Sequence, residues 1–299
     1  MDILTIRGLE KSFGDKRVLR GLELSVPEGS VFGFVGKNGA GKTTTMKAVL
    51  GLLKPDSGAL WVAGEPVCFG QTPTNRHVGY LPDVPAFYPF MTAKEYLRLC
   101  GESMGMSRAE IDARSDELLG LVGLGGENHR IKGYSRGMKQ RLGIASALLS
   151  RPKLLICDEP TSALDPIGRK EILDLLTSVR EQTTVLFSTH ILSDVERICT
   201  DVALLNDGVI AMQGTVGELK SRCCSNAFTV DVTRAEDADR ILAAFANATR
   251  TDANTLVFSG GEDAQFALLA FLAEQRIAVS SVSRTEASLE SLFVEVASK

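Results

Sequence analysis

The sequence contains no run of Lys and Arg dense enough to make a basic arm, and its formal net charge over 299 residues is only −4. Nucleic acid is therefore excluded as the main ligand, because neutralising a phosphate backbone requires such a cluster. Cysteine is sparse and unpatterned: Cys68, Cys100, Cys157, Cys199, Cys223 and Cys224 form no C-x-x-C pair and have no histidine at metal-ligand spacing. That excludes a disulfide framework or a zinc site. The first four lie in apolar stretches and are expected in the core of a protein from a reducing compartment, and Cys223-Cys224 is expected in a linker. No apolar run approaches the roughly 20 residues needed to span a bilayer, and the N-terminus lacks a basic segment followed by an apolar one. The chain is expected not to cross a membrane by itself. Its length exceeds the usual size of one domain, so a second unit is expected.

What is present is most informative at residues 36–44, Gly-Lys-Asn-Gly-Ala-Gly-Lys-Thr-Thr, which fit the spacing G-x-x-x-x-G-K-[ST] of a phosphate-binding loop. The apolar, β-leaning run before it (residues 31–35) and the helical spacing after it (residues 43–53) supply the strand and helix that the motif requires. Such a loop aims backbone N–H groups and a helix N-terminus at an anion. Gly36, Gly39 and Gly41 leave no Cβ in the way of a phosphate; Asn38, Ala40 and Thr44 complete the loop. Lys42 supplies a mobile charge for the β/γ-phosphates, and Thr43 a hydroxyl for Mg²⁺.

Further along, Leu154-Leu155-Ile156-Cys157-Asp158-Glu159 reads as a buried central strand ending in two carboxylates beside the phosphates. Asp158 would hold Mg²⁺ through its water shell, and Glu159 would polarise or accept a proton from the attacking water. Asp165 follows in Ser162-Ala163-Leu164-Asp165, and His190 follows the apolar strand Val185-Leu186-Phe187-Ser188. Ser135 is placed to cap a helix running to Leu149, which sets a hydroxyl, the Gly137 backbone and a helix N-terminus together in an anion-seeking arrangement. Phe13 is placed either to stack on a purine base or to join the core. Asp83 ends the short strand Val78-Gly79-Tyr80-Leu81-Pro82.

In this order, from about Leu4 to Leu219, the motifs resemble those of the ATP-binding subunits of ABC transporters. In that resemblance Phe13 is the adenine-stacking aromatic, residues 36–44 the Walker A loop, and residues 135–140, which contain Ser135 and Gly137, the signature segment. Residues 154–159 are the Walker B strand, residues 162–165 the D-loop and His190 the switch histidine. The resemblance implies an α/β P-loop NTPase cassette over residues 1–222, with a mixed sheet core and a helical subdomain at about residues 90–150. It implies ATP and Mg²⁺ as ligands, a homodimer with ATP between a Walker loop and the opposite signature, and a separate transmembrane permease chain at the cytoplasmic face of the membrane. Two positions depart from the family pattern. Asp83 stands where a glutamine usually reaches the Mg²⁺ and attacking water, and Arg136 with Met138 interrupts Leu-Ser-Gly-Gly-Gln. Asp83 can accept from a metal-bound water but cannot donate an amide N–H. Substitutions of this kind look like those of the drug- and antibiotic-export branch. Soluble ABC-type ATPases of translation or DNA repair usually show tandem cassettes or a coiled-coil insertion, and this chain has neither.

Residues 223–299 read as a small α+β accessory domain: strands at 228–232, 255–258 and 279–282, helices at 235–244 and 264–274, and a final helix at 288–296. It holds no glycine-rich loop, acidic pair or histidine, so catalysis is not expected there; the resemblance implies a dimer-stabilising or regulatory role. Within the first domain, Pro82-Asp83-Val84-Pro85-Ala86-Phe87-Tyr88-Pro89-Phe90 combines three prolines with large apolar side chains. Either these rings fold under the helical insertion as a satellite core, or they line a groove for a short cytoplasmic helix of the membrane subunit, as the resemblance implies.

Overall fold

The computed structural model describes residues 1–70, 73–222, 227–284, 289–290 and 292–293. The chain forms two compact units, Met1–Val216 and Gly217–Lys299.

The first unit opens with a long antiparallel pair, β1 (Asp2–Phe13) and β2 (Lys16–Pro27), before the central strand β3 (Val31–Gly36) and the helix α1 (Lys42–Val49). After β4 (Ser57–Val62), β5 (Glu65–Pro66) and β6 (Val78–Leu81) come three helices, α2 (Ala93–Ser103), α3 (Arg108–Leu121) and α4 (Arg136–Leu148). Then follow β7 (Leu154–Asp158), α5 (Pro166–Ser178), β8 (Thr184–Thr189), α6 (Leu192–Ile198), β9 (Asp201–Asn206) and β10 (Val209–Thr215). The helix α7 (Val216–Arg222) runs across the division between the units.

These strands make two sheets, a six-stranded one in the order β10-β9-β3-β8-β7-β6 and a four-stranded one in the order β2-β1-β4-β5. In the larger sheet every pairing is parallel except β9 with β10. Every residue of β3, β7 and β8 is buried. Strands covered on both faces favour apolar side chains, which is why residues 31–35, 154–157 and 185–187 read as apolar runs. Phe32 and Phe34 of β3 pack with Leu154, Ile156, Leu186 and Met46 in the core between sheet and α1. Burying side chains of this size favours folding by roughly 1.5–3 kcal/mol each. The order also places the candidate residues: β3 and β7, which end in the glycine-rich loop and the acids, are separated by β8, whose end carries His190.

The helical insertion is fixed by local chemistry. Thr92 and Ser107 each cap a helix in a reciprocal box, with Glu95 and Glu110 returning a bond to the cap N–H. Arg114, nearly buried, donates to the carbonyl of Leu148 at 3.1 Å and so ties α3 to the end of α4.

Two expectations change here. The opening alternation reads as a strand only over residues 3–6, yet β1 runs on to Phe13; register shifts after Asp2, Ile6, Leu9 and Lys11 break the alternation that would announce the rest. Cys68 is exposed, while Cys157 is buried and Cys100 and Cys199 are partly so.

The second unit is an antiparallel sheet in the order β12-β13-β11-β14, formed by β11 (Ala227–Val232), β12 (Ala248–Arg250), β13 (Thr255–Ser259) and β14 (Val279–Arg284). Two helices, α8 (Ala235–Ala244) and α9 (Glu262–Glu274), contribute to its core. Phe228 stacks on Phe258 at 5.0 Å, and Ile241, Leu268 and Leu272 join them. The strand β12 was not expected from sequence, being only three residues long. Cys223-Cys224 and most of the expected final helix lie outside the described residues. Among the described residues no helix is long and apolar enough to cross a membrane.

Candidate nucleotide site

The site is built where β3, β7 and β8 end side by side. Gly36 closes β3 against β9: a Cβ there would lie 2.8 Å from the carbonyl oxygen of Leu205. Gly41 caps α1 in a left-handed conformation (φ 113°), with room for no Cβ beside Leu19. Of the three glycines only Gly39 faces open space. Gly36 is thus required by close packing and Gly41 by its left-handed backbone, while Gly39 combines a positive φ with open space. Asn38 is exposed beside Gly39, and Ala40 and Thr44 are half-buried.

Five predicted residues meet at this end of the sheet. The Lys42 side chain is buried and its Nζ donates to the Gly36 carbonyl at 2.6 Å and more weakly to that of Lys37 at 3.4 Å. The same ammonium lies 3.2 Å from Glu159 Oε1. It sits off the direction of a hydrogen bond, so the contact is an ion pair and the buried Oε1 has no donor among the protein groups. Glu159 Oε2 is 3.0 Å from His190 Nδ1. Thr43 Oγ1 donates to Asp158 Oδ2 at 2.7 Å, and Asp158 is almost wholly buried.

Three residues that sequence reasoning missed complete the arrangement. Ser188, at the end of β8, donates to Asp158 Oδ1 at 2.6 Å. Thr189 Oγ1 accepts the Ile191 N–H at 3.0 Å and so shapes the turn that carries His190. Tyr80 lies on β6 beside β7, and its burial, with the Asp158 charge adding, pushes its phenol up to about 12. Only the apolar context of Ser188 and Thr189 in an otherwise hydrophobic strand could have flagged them.

The other predicted residues are engaged elsewhere. Asp83 does not join the Thr43–Asp158 group: its Oδ1 accepts from Ser162 Oγ at 2.5 Å, and Arg136 lies 3.8 Å away. Arg136 also donates to Ser162 Oγ at 3.3 Å, and Gln140 donates to the Asp83 carbonyl at 2.9 Å. Asp83 is thus engaged in a cross-link among residues 83, 136 and 162. Ser135 caps α4, accepting the Met138 N–H at 3.2 Å, and is exposed, with Gly137 half-buried beside it. Asp165 caps α5, accepting the Gly168 N–H at 3.3 Å. Phe13, at the end of β1, is 51% exposed, and Lys11 Nζ lies 5.5 Å from its ring centre. A ring left this open is outside the core. Near the phosphate loop, Lys16, Arg17 and Val18 line a cleft of about 350 Å³ with Gly39, Ala40 and Gly208.

Comparison with known proteins gives this geometry a family. The sequence model of the ABC transporter family matches residues 19–162. The chain is 44% identical over 231 residues, 77% of each protein, to the uncharacterized ABC transporter ATP-binding protein YxlF of Bacillus subtilis. The chain belongs to the ABC transporter ATP-binding proteins. It is also 33% identical over 296 residues to the daunorubicin/doxorubicin resistance ATP-binding protein DrrA of Streptomyces peucetius, covering 96% of this chain and 90% of that one. A solved structure described as the ATP-binding subunit of an ABC transporter superposes with a TM-score of 0.64 at 32% identity, over 74% of this chain and 92% of that one. The fold is that of ABC ATPase cassettes, and the chain is an ATP-hydrolysing subunit that powers transport. Subunits of this family work with transmembrane permease components.

Proposed function

We propose that two copies of this chain hold ATP and Mg²⁺ between them, the phosphate loop of one copy facing Ser135 and Gly137 of the other, and that hydrolysis there drives a separate permease. The observation that carries this reading is the convergence of Lys42, Thr43, Asp158, Glu159 and His190 at the ends of three adjacent strands. Lys42 binds the β/γ-phosphates, exchanging its present carbonyl and carboxylate partners for phosphate oxygens. Glu159 orients the attacking water and accepts its proton; the donor-free Oε1 is suited to that task. His190 holds the other Glu159 oxygen and so sets the direction of the carboxylate.

The donors present fit Mg²⁺. Thr43 and Asp158 offer hard oxygen ligands, already joined to each other, and no group of three or more His, Cys, Asp or Glu among the described residues could hold a metal unaided. Phosphate oxygens and water complete such a shell, as Mg²⁺ prefers. When bound, Mg²⁺ supplies neutralisation of the charge that develops on the phosphate oxygens. Phe13 stacks on the base, and residues 36–44 surround the phosphates with backbone N–H groups.

We assign residues 1–222 to the cassette and residues 223–299 to an accessory domain, and place the protein at the cytoplasmic face of the membrane, held there by the permease. Similarity to DrrA along nearly the whole chain supports export as the direction of transport.

The test is kinetic. Lys42→Ala should abolish ATP binding, whereas Glu159→Gln should keep affinity and slow hydrolysis by about 10²–10⁴-fold, the usual worth of a positioned base. His190→Ala should lower kcat more than it raises KM. Wild-type turnover by Glu159→Gln would remove Glu159 from the mechanism.

A further inference from the structure

The end of β8 holds a buried hydroxyl to which none of the roles above is given. Ser188 is fully buried, opposite Asp158 in the parallel register of β7 and β8. Its Oγ donates to Asp158 Oδ1 at 2.6 Å and accepts the N–H of Glu159 at 3.1 Å. The same N–H also reaches the Ser188 carbonyl at 3.2 Å. Glu159 needs this grip, because its φ of +48° is a left-handed conformation that a residue with a Cβ adopts only under constraint.

We infer that Ser188 is a positioning residue for ATP hydrolysis, its hydroxyl locking the side chain of Asp158 and the backbone of Glu159 into one unit. This rests on the roles proposed above for those two acids. The Asp158 carboxylate has one hydroxyl on each oxygen, Thr43 on Oδ2 and Ser188 on Oδ1. Thr43 belongs to the phosphate loop and is itself offered to the metal, so Ser188 is the donor that stays with Asp158 when the metal binds. A hydroxyl fits this task because one oxygen can donate to a carboxylate and accept an amide at once. An alanine, or the valine and leucine found elsewhere in β8, could do neither. Without the hydroxyl, Asp158 loses its orientation toward the metal and the Glu159 N–H keeps only the Ser188 carbonyl as partner.

The experiment compares Ser188→Ala, Ser188→Thr and Ser188→Cys in the full chain, the cysteine variant preserving volume should alanine fail to fold. Two readouts are taken: steady-state kcat and KM, and the binding of a fluorescent ATP analogue titrated with Mg²⁺ and, separately, in EDTA. For alanine and cysteine we expect kcat to fall about 10- to 100-fold, as loss of a buried charge-assisted hydrogen bond predicts. The Mg²⁺ concentration for half-maximal effect should rise about 5- to 10-fold on the same reasoning, while affinity in EDTA stays within about 2-fold because Lys42 and the loop are untouched. Threonine, which restores the hydroxyl, should recover both. Wild-type kcat and Mg²⁺ response in a folded alanine or cysteine variant overturns the inference. So does a loss that appears equally in EDTA, which marks a general structural defect. Glu159→Gln, run in parallel, separates the two levels: if it hydrolyses normally the parent reading falls, and if it is inactive while Ser188→Cys is normal only Ser188 loses its role.

Discussion

Burial separates the described cysteines by reactivity. Cys157 sits inside β7 next to Asp158, and burial with that neighbouring charge pushes its thiol well above the ordinary range. Cys68 is exposed. Since the thiolate is the reactive form, iodoacetamide at pH 8 should alkylate Cys68 in the native protein and leave Cys157 untouched until denaturant is added. Peptide mapping by mass spectrometry reads this directly, and equal native labelling of the two would mean that β7 opens. At this scale, the residues that sequence made legible are those with chemistry written into a short spacing: Lys42 and Thr43 in their loop, Asp158 and Glu159 at the end of an apolar run. Ser188 was legible only as the last residue of a strand. Its partner Asp158 lies 30 residues earlier, and the alignment of the two depends on strand order. Asp83 and Ser162, 79 residues apart, were equally beyond reach.

Among the elements, the proline-rich stretch 82–90 is packed at one ring and open at three other apolar side chains. Phe87 is half-buried and meets Tyr96 of α2 edge to face at 4.9 Å, whereas Val84, Tyr88 and Phe90 are 69%, 51% and 60% exposed. Phe87→Ser should therefore lower stability, by about 1–3 kcal/mol for a partly buried ring, seen as a lower Tm. Tyr88→Ser and Phe90→Ser should leave Tm within a few degrees and ATP affinity unchanged. If the exposed rings contact the permease, these two variants should fail to co-purify with it; retention of both at wild-type levels would place the contact elsewhere. In the second unit, Asp231 of β11 accepts hydroxyls from Thr255 and Ser281 on its two neighbouring strands. These bonds, Ser281 first, hold its carboxyl below the usual range. A depressed folded value stabilises above the ordinary carboxylate pKa of about 4 and is lost as pH falls through the lowered one. The acid-melting curve of Asp231→Asn should therefore lack this loss, while a curve parallel to wild type would deny the bonds any weight. The strands of the sheet core were legible because burial on both faces favours apolar runs. Most of β1 was not, since its bulges interrupt the period of two on which strand recognition depends.

For the whole molecule, the proposed shared site makes assembly depend on nucleotide. Glu159→Gln with ATP should double in mass by light scattering at micromolar concentration, and adding Ser135→Arg should keep it monomeric by setting bulk and charge against the γ-phosphate. A Glu159→Gln protein that stays monomeric in ATP would count against the shared site. Ending the chain after Arg222 should weaken this dimer and leave ATP affinity within about 3-fold, given the separate hydrophobic core of the second unit.

The sheet order has a consequence for how the protein is made. The strand β8 lies between β3 and β7 in space but follows both in the chain. A nascent chain that stops short of Thr184 already contains the phosphate loop and both acids, yet nothing holds their strands in register. Until β8 inserts, β3 and β7 each present an open, largely apolar edge, the kind of surface that aggregates or recruits chaperones. ATP is then a ligand of the finished sheet alone and cannot guide its early folding. Ribosome-stalled chains ending before residue 184 should be blind to nucleotide however complete their motifs, and ATP should begin to protect the chain from protease only after β8 has emerged.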